Sequence, residues 1–322
     1  MIFDPGGRWR EHGYKPDFAG ILTYGGLPLT EDAAELDDFD VAIVGAPFDG
    51  LAGLDAGARL GPRAIRAAGI EHGPHLEAGI DAFERLRVID FGDAPVIPFD
   101  AAASHRAIAA TVAEVVATGT FPLVLGGDHS ISLPAIGACA AANGPLGLIH
   151  FDAHSDTADD ELGVPITHGT PMRRLVEQGS VDPERYVQIG LRGYWPGEPE
   201  LSWQRERGIS SFFSHDVREL GIGEVVGRAV AIIGDGPAYM TVDVDALDPA
   251  FAPDTGTPEP GGLTPAELLG ACRHGAERLD LVGADVVEVA PTAVGSRDLA
   301  ALVGDRIVRE ILTGVALRRP AR

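Results

Sequence analysis

Within Phe151-Asp152-Ala153-His154-Ser155-Asp156, two carboxylates and an imidazole alternate along the chain. Extended backbone sends alternate side chains to one face. Asp152, His154 and Asp156 are therefore expected side by side, at a spacing that suits a divalent metal. Taken alone, the hexapeptide also fits a solvated turn. Pieces of the same kind recur elsewhere: His129 in Gly126-Gly127-Asp128-His129-Ser130, the pair Asp243 and Asp245 in Asp243-Val244-Asp245, and Glu288 in Asp285-Val286-Val287-Glu288-Val289. Each follows or ends a short apolar run. His129, Asp152, His154, Asp156, Asp243 and Asp245 together supply four carboxylates and two imidazoles. A structural zinc takes four ligands, often cysteines, so this larger set fits two divalent ions better. Carboxylate-rich sets favour Mn2+-like metals, and the ligand types also admit Ni2+ or Co2+. Two ions roughly 3.5 Å apart need bridging carboxylates, and a hydroxide between them is a nucleophile at neutral pH. Asp128 could orient a ligand or serve as a buried structural aspartate. Asp248, followed by Pro249, reads as a turn former.

These residues must be brought together by the elements that carry them. Continuous apolar runs predict strands at about 40–45, 86–91, 121–125, 146–151, 186–191, 209–214, 239–244 and 284–289. Runs of this kind suit a parallel sheet covered on both faces, where sites form beyond the carboxyl ends of the strands. Helices alternate with them. Asp100 opens one over 100–118, and Thr170-Pro171 opens another that ends before Gly179. Thr264-Pro265-Ala266-Glu267 is a capping box. Ser296 is expected to cap a last amphipathic helix ending near Gly314. Residues 1–38, polar and rich in Gly and Pro, read as an irregular arm on the surface or at a subunit contact. No linker divides the chain, so one domain is expected.

The 322 residues, 45% hydrophobic, are ample for a large core and exclude disorder and collagen-like repeats. A formal net charge of −23 argues against binding nucleic acid or anionic membrane through the overall field, and tolerates a cationic small molecule. Cys139 and Cys272, both in Ala-rich helical stretches, read as buried thiols in a reducing cytoplasm. No apolar run is long enough for a transmembrane helix.

Gly-Gly-Asp-His-Ser, Phe-Asp-Ala-His-Ser-Asp and Asp-Val-Asp-Ala-Leu-Asp-Pro resemble the three metal motifs of the ureohydrolase family, which contains arginases, agmatinases and related guanidino-acid hydrolases. The resemblance runs from about residue 40 to 315 and includes Pro47-Phe48-Asp49, Gly57-Ala58-Arg59, His168-Gly169-Thr170-Pro171 and Thr255-Gly256-Thr257-Pro258-Glu259. It is nearer to the agmatinase branch than to arginases proper. It implies a three-layer αβα sandwich with a mostly parallel eight-stranded sheet, a Mn2+ pair, and assembly as a hexamer or trimer. By position, one ion would take His129, Asp152, Asp156 and Asp243. The other would take His154, Asp152, Asp243 and Asp245, with Asp152 and Asp243 bridging. Glu288 matches the residue that holds the guanidinium, as a carboxylate can pair in plane with such a fork. His168 matches a histidine that helps to move protons, and Asp156 would hold the nucleophile.

The substrate tail is less defined. Leu51-Ala52-Gly53-Leu54-Asp55-Ala56 stands where Arg-Pro is common among agmatinase-like relatives, and Asp254 where glycine is common. The acids of Ala158-Asp159-Asp160-Glu161 could meet a substrate ammonium or form a solvated loop. Agmatine or a near analogue is the expected substrate. A guanidino acid, guanidine or a biguanide are the alternatives, and an acid would want a cation near the mouth, for which Arg192 is a candidate with a structural role as its other reading. A single-zinc deacetylase-like hydrolase would leave Asp156, Asp245 and His129 without work. A non-catalytic subunit would be signalled by a lost ligand, and none is lost.

Overall fold

In the computed structural model, residues 19–69, 73–292 and 298–319 are described. Eight strands run β1 Val41–Ala46, β2 Val88–Asp93, β3 Phe121–Gly126, β4 Leu146–Phe151, β5 Val181–Leu191, β6 Ser210–Phe213, β7 Pro237–Asp243 and β8 Asp280–Val287. They form one sheet in the order β2-β1-β3-β8-β7-β4-β5-β6, and every pairing is parallel. All eight expected strands are present, within a few residues of their expected limits.

Helices cover both faces, and alternate residues of one strand feed two cores. Val41 and Ile43 of β1 join a core that includes Ile307 and Ile311 of the last helix. Ala42 and Val44 join the other, with Ile108 and Val112 of the helix Ala101–Ala117. This two-sided burial explains why the strands read as unbroken apolar runs. Cys139 and Cys272 are free and buried, and burial pushes the Cys139 thiol up to about 12. Among the described residues no helix is long and apolar enough to cross a membrane.

The local signals divide. Asp100 caps its helix by accepting from Ala103 N, and Thr264 and Glu267 close a reciprocal capping box. Thr170 precedes the helix Pro171–Glu177 but makes no cap bond. Its hydroxyl instead donates to Thr167 O and accepts from Thr167 N, tying the loop that carries His168. Ser296 lies outside the described residues. The last helix spans Leu299–Arg318 and runs through Gly314 without stopping. A Cβ at Gly314 would lie 2.4 Å from Arg273 O and 2.6 Å from Ala276 Cβ, so that glycine permits close packing on the helix Pro265–Arg278.

Of the expected arm at 1–38, residues 1–18 lie outside the described residues, and residues 19–38 hold to the sheet. Asp90 N donates to Pro28 O and Thr30 N to Asp90 O, which joins this segment to β2. The buried Tyr24 donates its hydroxyl to Asp305 Oδ1 at 2.7 Å.

Candidate metal and substrate site

Strands β3, β8, β7 and β4 are neighbours at the centre of the sheet. His129, Glu288, Asp243 and Asp152 lie at or just beyond their carboxyl ends, so residues far apart in sequence meet because the intervening strands cross over. The loop after β4 is not extended as alternation required. Asp156 has φ 51, and His154 and Asp156 meet different partners. His154 Nδ1 lies 3.0 Å from Asp245 Oδ2 and 3.5 Å from Asp152 Oδ1. Asp156 Oδ2 lies 3.0 Å from His129 Nδ1. Asp243 and Asp245 likewise do not alternate on a strand, because β7 ends at Asp243. Asp245 sits in the single turn Val244–Ala246, where its N–H donates to Asp243 Oδ1 at 2.8 Å.

Negative charge dominates this cluster. Asp152, Asp156, Asp243, Asp245 and Glu288 are all buried, and among the described residues no arginine or lysine forms an ion pair with them. Burial first, then Asp245 and Asp152, holds the Asp243 carboxyl well above the usual carboxylate range. Burial and the charge of Asp152 also raise Asp156. The imidazoles respond in the opposite sense to their own burial. It lowers His154, but Asp245 and Asp152 push it up to about 12. Burial lowers His129 too, and Asp156, Asp152 and Asp243 raise it well above its ordinary value. His129 Nδ1 is buried without a hydrogen-bond partner and faces Asp152 Oδ2 and Asp156 Oδ2 at 3.0 Å and Asp243 Oδ2 at 3.3 Å.

Beside the cluster is a cavity of about 230 Å³ lined by His154, Asp156, Glu161, His168, Trp195, Thr257 and Glu288, among others. Glu288, at φ 60, turns its carboxylate inward. Its Oε1 accepts from His129 N at 2.9 Å and faces His168 Nδ1 at 3.1 Å. The other ring nitrogen, His168 Nε2, lies 3.1 Å from Gly53 N. Burial lowers the His168 pKa, and the bond to Glu288 and its charge carry it up to about 9. Asp49 holds the loop that presents Gly53 by accepting from Gly57 N and Arg59 N. Thr257 donates to Asp245 Oδ2 at 3.2 Å. Of the loop acids, Asp159 pairs with Arg174 and Arg173, and Asp160 accepts from Gly163 N. Glu161 alone of the three lines the cavity, steadied by the Thr167 hydroxyl.

Other candidates resolve into structural roles. Asp128 accepts from Ser130 N and from Leu51 N, and so ties the His129 turn to the Leu51 loop. Asp248 accepts from Ala250 N and Gly261 N as a turn former. Arg192 donates to the carbonyls of Gly190, Asp245, Ala246, Leu247 and Glu259. A larger cavity of about 510 Å³ lies against the last helix. Its Arg306 and Arg309 are paired with Glu310 and Asp305, and no residue selected from the sequence lines it.

His150, Thr241 and Asp285, each with a buried polar contact beside the site, escaped the sequence reading. His150 Nε2 lies 2.8 Å from Asp152 Oδ2, and its Nδ1 lies 2.9 Å from the Tyr186 hydroxyl. Thr241 Oγ1 meets His129 Nε2 at 2.9 Å and donates to Asp285 Oδ1. A signal existed, since a polar residue inside a buried run must find a partner.

A model of the arginase family matches residues 39–314. The chain is 45% identical over 300 residues to the guanidinopropionase of Pseudomonas aeruginosa, with 92% of each chain covered. It is 40% identical over 296 residues to the mitochondrial agmatinase of Gallus gallus, covering 91% of this chain and 85% of that one. The structure of the proclavaminate amidinohydrolase from Streptomyces clavuligerus superposes with a TM-score of 0.87 at 35% identity, covering 95% of this chain and all of that one. The chain thus belongs to the arginase family, whose hydrolases act on guanidino C–N bonds with a binuclear metal centre.

Proposed function

We propose that the chain hydrolyses agmatine or a near analogue to urea and an amine, with Mn2+ as its metal. The observation that carries the cationic substrate is the cavity lining: Glu161, Asp156, Asp243 and Glu288 supply carboxylates, and among the described lining residues there is no arginine or lysine. A tail ammonium has a partner in Glu161, whereas a tail carboxylate meets no arginine or lysine among the described lining residues.

The donor set fits a metal pair. Buried carboxylates without a cation are costly, and the unpartnered His129 Nδ1 faces them directly. In this reading His129, Asp152, Asp156 and Asp243 hold one ion. His154, Asp152, Asp243 and Asp245 would hold the other. The pair supplies a water ionised near neutral pH and a positive field for developing charge. Glu288 takes the guanidinium through Oε2 while Oε1 stays on His129 N and His168. Asp156 accepts the nucleophile's proton as the oxygen adds to the guanidinium carbon and passes it to the leaving nitrogen. The C–N bond to the tail then breaks, the amine leaves with a proton, and urea remains. His168 supplies protons to this step. Its raised affinity for a proton depends on Glu288, so a guanidinium docked on Glu288 weakens that hold and makes the ring a better acid.

The chain works here as a single ureohydrolase domain in a cytoplasmic homo-oligomer, a hexamer or trimer. A second reading, hydrolysis of a guanidino acid, is favoured by the 45% identity to a guanidinopropionase. Urea release from agmatine, guanidinopropionate and guanidinobutyrate, with Mn2+ and with Ni2+, separates the two. The highest kcat/KM is expected on agmatine. A clearly higher value on an acid overturns that choice, and no urea from any guanidino compound overturns the whole reading.

A further inference from the structure

We infer that Thr241 and Asp285 are positioning residues that fix which nitrogen of His129 carries its proton, presenting Nδ1 as a bare lone pair; this rests on the proposed metal-binding role of His129. Thr241 on β7 and Asp285 on β8 are register neighbours, and both are fully buried, as is Ser132. Ser132 Oγ donates to Asp285 Oδ2 at 2.8 Å, and Thr241 Oγ1 donates to Asp285 Oδ1 at 2.5 Å. A carboxylate only accepts, so the single hydroxyl hydrogen of Thr241 is committed to it. Thr241 can then meet His129 Nε2, 2.9 Å away, only with a lone pair. Nε2 must therefore carry the ring hydrogen. The neutral imidazole that a metal requires has one N–H, so Nδ1 is the nitrogen reserved for the cation, and it is this nitrogen that lies without a hydrogen-bond partner among Asp152, Asp156 and Asp243.

Packing alone gives no reason for the pair. A buried aspartate between two strands of an apolar sheet core costs stability that valine would not. Its placement is explained by the direction it imposes on the Thr241 hydroxyl. Without that hydroxyl Nε2 has no acceptor, so nothing holds the hydrogen of the neutral ring there and Nδ1 is no longer the nitrogen reserved for the cation. Partners of this kind change metal affinity by about 10–100-fold when lost.

The test is calorimetric titration of the metal-free protein with Mn2+, resolving the two ions. Thr241→Val keeps the volume and should weaken one of the two by about 10–100-fold while leaving the other near its wild-type affinity. Thr241→Ser, which keeps the hydroxyl, should restore it. Asp285→Asn replaces one accepting oxygen with a donor and should weaken the same ion, and it carries the test if Thr241→Val does not fold. Tyr24→Phe removes another buried hydrogen bond, that to Asp305, and should change neither affinity. Equal weakening of both ions in the Thr241→Val and Asp285→Asn variants, unchanged affinities in both, or no restoration by serine overturns the relay while the metal reading stands. A wild-type chain that binds no ion overturns the metal reading and the relay with it.

Discussion

At Glu288 the backbone has φ 60, a left-handed conformation that costs a residue with a Cβ about 1 kcal/mol or more. That cost is tolerated where the side chain must be aimed, and Oε1 is held by His129 N. Among the described residues, no hydrogen bond engages Oε2, which leaves that oxygen for the guanidinium. Glu288→Gln keeps the shape and loses the charge. Its kcat/KM should fall about 100-fold, the upper range for a charge-assisted bond, with the metal content per chain unchanged by elemental analysis. Near-normal turnover would remove Glu288 from the substrate. Glu161→Gln addresses the tail instead. It should lower kcat/KM on agmatine roughly tenfold and leave guanidinobutyrate unharmed; equal losses on both substrates would count against a tail contact. The acids and imidazoles of these motifs were legible because they stand outside the apolar runs. His150, Thr241 and Asp285 were not, because each sits inside such a run and is recognised only by the partner on the neighbouring strand.

The elements follow from similar local rules, and two of them show where those rules stop. The strands are legible because helices on both faces make most positions of the central strands apolar. Gly314 looks like a helix stop because glycine is common just past a helix end. It stands inside the last helix because Arg273 O and Ala276 Cβ approach it from the packed neighbour, a contact that no local pattern encodes. Gly314→Ala must push the helices Pro265–Arg278 and Leu299–Arg318 apart, with an expected loss of about 2 kcal/mol in denaturant unfolding. An unchanged or raised stability would mean that the two helices are less closely fitted than their geometry indicates. Gly127 serves the site more directly. At φ 55 a Cβ would lie 2.5 Å from both Ala46 O and Phe48 O, so only glycine turns the chain tightly enough from β3 to deliver His129.

For the molecule as a whole, the sheet order is what the sequence conceals. Nothing local says that β8 and β7 enter between β3 and β4, yet that order makes one site of four separated strand ends. It also concentrates acids in the interior of a chain with net charge −23, and this has a consequence for stability. Without metal, Asp156, Asp243 and Asp245 have raised pKa values, as do His154, at about 12, and His168, at about 9. Groups raised on folding bind protons more tightly in the native state, so their contribution is full below the unfolded pKa and lost as pH rises through the folded one. Asp152 is lowered and acts oppositely, but its contribution is lost only below the ordinary aspartate range. Between about pH 6 and pH 9 the metal-free protein should therefore lose stability as pH rises. Metal binding runs the other way, because cations replace those protons and bind better once they have left. Thermal melts with Mn2+ and with a chelator should diverge across this window, the gap in Tm reaching about 5 °C or more at the alkaline end with both ions well above their Kd. A gap that is constant or narrows as pH rises would show that cations do not take the place of protons in this cluster.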